Sequence, residues 1–229
     1  RVSGCAFPAL QSEESSFCFL PILWNYGGSL AQIDSPAGRQ AFGFLKQLAE
    51  NKALSEDNVN MTISDIAWEF ANGNIAMAFL TSGYENEIRE ENPDLHFATT
   101  KLPCGENSIT ISGGEVLTVT CAEHEKEARE FVRFMEQPEQ TEVYLDSMGY
   151  LAARRDLLKK QIQTDPAKKT YWSYLKQAKF REIEPYWPSL SMEVAESINR
   201  VILGEDTQDE LEQLSERISR IRRAKYEKE

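Results

Sequence analysis

Residues 68–88 read WEFANGNIAMAFLTSGYENEI, and three structural signals follow one another within this stretch. An amphipathic segment carrying Ile66, Ala67 and Phe70, with Ser64 as its expected N-cap, stops at Asn72-Gly73, where glycine can close a helix in the left-handed conformation. IAMAFL at 75–80 is short and apolar on both faces, which predicts a strand buried inside a sheet. Ser82-Gly83-Tyr84 then lifts an aromatic ring to the rim of that strand, before a charged helix near 85–91.

Outward from this stretch the same alternation continues. Residues 1–23 read as an extended segment, a turn at QSEESS and a second apolar element, FCFLPILW. Trp24-Asn25-Tyr26-Gly27-Gly28 is a loop by composition. Ser35-Pro36 opens a helix reaching about Asn51, with Ala41, Phe44, Leu45 and Leu48 at helical spacing. LHFATT at 95–100 and EVLTVTC after Gly113-Gly114 are further strand candidates. Helices are expected over 123–136, 138–147, 155–163, 166–179 and 190–203. A last one opens on a capping box at Thr207 and Glu210 and aligns Leu211, Leu214, Ile218 and Ile221. There is no internal repeat, and strands separated by helices give an α/β class with a helix-rich second half.

The chain has 229 residues, enough to bury a substantial core, and its 41% hydrophobic and 27% charged residues are those of an ordinary globular protein. No apolar run approaches the roughly 18 residues of a membrane span. A formal charge of −12 repels nucleic acid and anionic lipid, and the basic pairs at Arg154-Arg155 and Lys159-Lys160 are too short to offset it. Cys5, Cys18, Cys104 and Cys121 lie far apart, without metal-ligand spacing. Two disulfides or buried free thiols both fit them. The chain opens at Arg1 with no secretion signal, so any address segment lies outside it.

Motifs of nucleophilic, metallohydrolase and nucleotide chemistry are absent, no cofactor is implied, and His96 and His124 read as ordinary surface residues. What stands out is a set of aromatics beside Gly or Pro at element ends: Trp24, Tyr26, Tyr84, Tyr150, Tyr186 and Trp187. Such rings stack on the apolar face of a sugar while neighbouring amides and hydroxyls bind its edges. Any single ring can equally well plug the loop side of the core.

Five segments in order resemble the extracellular solute-binding proteins of ATP-binding-cassette importers, in particular the sugar-binding, maltose-binding-protein-like group. They are LPILWNYGGSL, SPAGRQAFGFLKQL, FANGNIAMAFLTSGYENEI, the run from GGEVLTVTC to MGYLAARRD, and PYWPSLSMEVAESINRVILGEDTQDELEQLSERI. The resemblance implies a type II periplasmic-binding-protein-like C-terminal lobe with hinge strands and part of the N-terminal lobe. Its division would be 1–112 as lobe core, 113–150 as hinge strand and helices returning to the N-terminal lobe, and 151–229 as completing helices. Family members are nearly twice this long, so the chain resembles their C-terminal portion.

The same resemblance implies a non-catalytic function: binding a sugar or oligosaccharide between two lobes and presenting it to importer membrane subunits, outside the cytoplasm, in the periplasm or as a surface lipoprotein. Trp24, Tyr84 and Tyr186 or Trp187 would stack on ligand, Asn25 and Ser82 would hydrogen-bond it, and Gly113-Gly114 would let backbone approach it, with Arg154 a further contact. Two departures, Tyr84 for the usual Trp and Leu151-Ala152-Ala153-Arg154 for Leu-Pro-Ala-Arg, leave the sugar unassigned. Half a cleft implies millimolar affinity or none, and an uncovered 113–150 segment implies association with another copy. The alternatives are a carbohydrate-active enzyme using Glu115 and Glu184, which needs two acids facing each other across roughly 5–10 Å, and a solute-binding fold serving as a sensor.

Overall fold

A computed structural model describes residues 2–226 apart from 56, 104, 106–108 and 121. The disulfide question for Cys104 and Cys121 lies outside the described residues, whereas Cys5 and Cys18 are free thiols. Burial, with the Glu14 carboxylate beside it, pushes the Cys18 thiol up to about 12. Cys18 is only partly buried, but its raised pKa should slow its alkylation at pH 8 in the native chain relative to urea. Peptide-level mass spectrometry reads the difference, and equal labelling in both states would contradict the raised pKa.

The centre of the molecule is a helical layer. α1 (Glu13–Asn25) and α2 (Pro36–Glu50) pack with α9 (Trp187–Ile202) and α10 (Thr207–Tyr226) around Phe19, Leu23, Phe42, Leu45, Leu190, Ile198 and Leu214. α1 is longer than its sequence suggests. Glu13 to Ser16 of QSEESS form its first turn, with Ser12 as the N-cap, Pro21 sits inside it, and Trp24 and Asn25 belong to its last turn instead of a loop. A helix apolar all round must be buried all round, which is the case from Phe19 to Asn25.

Where a sheet was expected, the described residues form isolated parallel bridges. Residues 3–6 run between 53–54 and 74–79: Cys5 N–H donates to the Ala53 carbonyl at 2.8 Å, and Ala6 N–H to that of Met77 at 2.9 Å. IAMAFL therefore lies at the edge and is not buried on both faces, for Ile75 is 4% exposed and Met77 62%. Neither LHFATT nor 115–120 carries a strand pairing among the described residues, and Val116 and Leu117 face solvent. Cys121, the end of that predicted strand, lies outside the described residues. Period-two alternation makes these segments extended, but a strand needs a partner backbone as well.

α3 (Ile63–Ala71) is capped by Thr62, not Ser64, in a reciprocal capping box with Asp65. Asn72 and Gly73, at φ +75°, end it as expected. α4 (Tyr84–Glu91) packs on α3, with Phe70 edge-on to Phe97 at 5.7 Å. α5 (Glu125–Met135) has no buried residue and leans on α6 (Pro138–Met148). α7 (Arg155–Thr164) and α8 (Pro166–Leu175) form a second pair. The expected capping box at α10 is replaced by Asp206, whose Oδ1 accepts from the Gln208 and Asp209 amides at 2.8 and 3.1 Å. Glu210 is instead buried against α9. Leu211, Leu214 and Ile218 are buried on one face of α10, as its spacing predicts.

Candidate functional site

Tyr84 opens α4 beside the N-terminus of α3, with its hydroxyl 3.1 Å from Ser64 Oγ. α3 is tied to α1 by Glu14, whose Oε2 accepts the Ile63 amide at 3.1 Å. Behind Tyr84, Gly83 lies against Tyr150, and a Cβ at Gly83 would sit 2.8 Å from that ring, so a side chain there would displace it. Gln161 holds Tyr150 and its neighbour: Oε1 accepts the Ala152 amide at 2.9 Å and Nε2 donates to the Tyr150 carbonyl at 3.1 Å. Asn86 on α4 donates to the Asp146 carbonyl at 2.6 Å. The loop after α6 is thereby fixed to the start of α4.

The extended segment after residue 112 reaches the same place. Glu115 accepts hydrogen bonds from the Tyr144 and Tyr150 hydroxyls at 2.5 and 3.2 Å. Two positions earlier, a Cβ on Gly113 would come within 3.2 Å of the Phe17 ring of α1. Burial pushes the Tyr84 and Tyr150 phenols above their usual range, and nearby carboxylates add to it, Glu14 and Glu87 for Tyr84, Glu115 and Glu87 for Tyr150. The Tyr144 phenol is raised mainly because it donates to Glu115. The site thus presents half-buried rings, a fixed carboxylate and a glycine-lined backbone.

Of the residues singled out from sequence, Ser82, Tyr84, Gly113 and Gly114 belong to this region. Ser82 is half-buried, its carbonyl accepting the Glu85 amide at 3.3 Å, and Gly114 is exposed with open space beside it.

Trp24 and Asn25 do not face it. Trp24 is 9% exposed within the α1 core, with Lys179 Nζ 5.9 Å over its ring. Asn25 brackets one residue, accepting the Ile109 amide at 3.0 Å and donating to its carbonyl at 2.8 Å. Its amide is thereby committed to holding the chain, and Asn25→Ala should cost about 2 kcal/mol of stability with no ligand present, measurable as a lower urea midpoint. An unchanged midpoint would return Asn25 to the list of ligand contacts.

Trp187 starts α9, donating from Nε1 to Glu13 at 2.7 Å beneath the Arg181 guanidinium, and Tyr186 is half-buried before it. Arg154 turns away, paired with Asp156 at 2.8 Å and donating to the Glu136 carbonyl at 3.0 Å.

Both acids of the enzyme alternative have partners. Glu115 is held by two phenols, and Glu184 is paired with Arg222, which holds its carboxyl below the usual range. Sequence reasoning missed Glu14, Ser64 and Tyr144. Tyr144 lies on a helix 29 residues from Glu115, with no local pattern linking them. Among the described residues no group of three or more His, Cys, Asp or Glu could hold a metal ion.

The helical layer, its parallel bridges and this convergence of loops define a lobe of a type II periplasmic-binding-protein-like fold. Maltose-bound MalE3 of T. maritima superposes with a TM-score of 0.83 at 16% identity, over 96% of this chain and 61% of that one. An ABC transporter solute-binding protein from Thermotoga lettingae TMO bound with α-D-tagatose gives 0.81 at 18%, over 96% and 59%. The sugar-binding protein MalE of Xanthomonas citri gives 0.74 at 18%, over 100% and 61%. A Brucella abortus (strain 2308) protein with a binding-protein name is 19% identical over 206 residues, 86% of this chain and 50% of the relative. The chain thus spans about half the length of the curated relatives it matches.

Residues 4–170 match the family described as bacterial extracellular solute-binding protein, and the chain belongs to that family. Membership places it outside the cytoplasm, and among the described residues no helix is long and apolar enough to cross a membrane.

Proposed function

We propose that the chain forms one lobe of the substrate-binding component of a bacterial ABC importer, taking a sugar or oligosaccharide at the Tyr84–Tyr150–Glu115 site. The observation that carries this reading is the convergence of Gly83-Tyr84, Gly113 to Glu115 and Tyr150, from three separate loops, on one half-buried surface of rings and a carboxylate. Rings supply stacking area and the carboxylate accepts hydroxyl protons, which is what binding of a polyol requires. Such a component acts by population shift: the ligand must bind the closed pair of lobes better than the open one for membrane subunits to read occupancy. We read 1–112 and 151–229 as the lobe proper and 113–150 as the crossing to a second lobe, and the protein as periplasmic or held at the cell surface as a lipoprotein. No catalysis is proposed.

The exposed face of α5 and its flank supports that crossing. Val116, Leu117, Phe131, Phe134 and Val143 all stand in solvent, an apolar set that an isolated lobe would hide by self-association. Sedimentation velocity should show the 229-residue chain dimerising with concentration, and Phe131→Ser with Phe134→Ser should return it to monomer. A monomer at all concentrations would contradict this use of the face.

For the site itself, Tyr84→Ala should weaken saturable carbohydrate binding by about tenfold, the worth of one lost stacking contact. Titration followed by NMR reads it, and unaltered binding would remove Tyr84 from the site.

A further inference from the structure

The hydrogen-bond inventory of the site is one-sided. Tyr144 and Tyr150 both donate their hydroxyl hydrogens to Glu115, so the two phenols nearest the carboxylate have no donor left for a ligand. Glu115 is exposed, and a carboxylate has about four acceptor positions, of which the phenols use two. The carboxylates Glu14 and Glu87 act on Tyr84, and Glu115 and Glu87 on Tyr150, while the ammonium beside them, that of Lys168, is buried and spent on the Gly149 carbonyl. Arg154, the basic side chain expected here, is spent on Asp156 and the Glu136 carbonyl instead. Aromatic faces beside fixed carboxylates favour a cation, through the ring quadrupole and through charge-assisted hydrogen bonds.

From this geometry we infer that the site selects a hydroxylated solute carrying a protonated amine, an amino sugar or its like, over neutral and anionic solutes of the same shape. This rests on the solute-binding reading above and narrows its substrate class. Glu115 is the specificity-determining residue: its carboxylate meets the ammonium while Tyr84 and Tyr150 present ring faces to the sugar body. Tyr144 is a positioning residue that holds the carboxylate.

The test is an NMR-detected titration of the 229-residue chain with glucosamine, glucose and glucuronate at about pH 6, where the amine is protonated. Glucosamine should bind at least about tenfold tighter than glucose, with glucuronate weakest. The ratio should shrink severalfold when the salt is raised from about 0.05 to 0.5 M, as a charge contact at an exposed site requires. Glu115→Gln should bring the glucosamine-to-glucose ratio to about one. The salt series on the unaltered chain decides the matter should the variant fail to fold. Glucose binding as tightly as glucosamine, a preference that ignores salt, or one that survives in Glu115→Gln would overturn the inference and leave the solute-binding reading in place. Absence of any shift from all three sugars would overturn both.

Discussion

Phe42→Ala should lower the stability of the chain by about 4 kcal/mol, read as a fall in the urea midpoint at unchanged slope. Phe42 and Phe19 are both fully buried, their rings 4.5 Å apart and inclined at 59°, where α2 meets α1. The same cluster continues through Leu45 into Leu190, Ile198 and Leu214 of the last two helices. Removing the ring deletes its transfer free energy and leaves a cavity among packed helices that cannot collapse freely. Domains of ordinary stability hold about 5–15 kcal/mol in total, so the variant should sit close to unfolding at 37 °C. A loss under about 1.5 kcal/mol would mean that this junction is not the centre of the core.

Arg217→Met should cost about 3 kcal/mol for an electrostatic reason. Glu210 is 3% exposed between α9 and α10, where it accepts hydrogen bonds from Ser197 Oγ at 2.6 Å and Arg217 Nη2 at 2.5 Å. Arg217 also donates to Ser197 Oγ at 2.7 Å and stands 2.7 Å from Glu193, while Arg200 reaches Glu210 only at 3.5 Å. Removing the guanidinium leaves a buried carboxylate with a hydroxyl and one distant cation, and an uncompensated buried charge costs more than the pair contributes. Adding Glu210→Gln to Arg217→Met should recover most of the loss, since it removes the orphaned charge.

The same network fixes the direction of a pH dependence. Burial alone would raise the Glu210 pKa, but Ser197 and Arg217 together bring it below its ordinary 4.5. A depressed folded-state value stabilises the fold above the unfolded-state pKa, and that stability is lost as pH falls through the folded value. Glu210→Gln should therefore flatten the acid limb of the stability profile below about pH 4.5. An unchanged acid limb would show that other carboxylates govern it.

The helices were legible because caps and apolar periodicity are local. Ser35-Pro36 opens α2, with Ser35 accepting the Gly38 amide, and Gly73, Gly149 and Gly204 close helices at positive φ. Where local reading failed, a competing local signal or a distant partner had decided. Thr62 outranks Ser64 as cap because Asp65 stands three residues after Thr62, a pattern visible in the sequence. Glu210 cannot complete a capping box because Ser197 and Arg217, 13 and 7 residues away, already hold it.

Gly27-Gly28 drew the loop assignment over Trp24 and Asn25, whereas burial on every side carries α1 through Pro21 to Asn25. At the site, Tyr84 and the two glycines at 113–114 were legible from their positions at element ends. The Glu115 clamp was not, for its partners lie 29 and 35 residues away and meet it only once α6 and the loop after it are folded.

Carbohydrate binding at the surface shared by Tyr84, Tyr150 and Glu115 can be followed residue by residue in an NMR titration of the 229-residue chain. Saturable, millimolar shifts from sugars should cluster on 82–84, 113–116 and 144–152, with binding about tenfold weaker in Tyr84→Ala. Shifts confined to α9 and α10, or none at sugar concentrations of about 50 mM against the millimolar binding expected, would contradict binding at this surface.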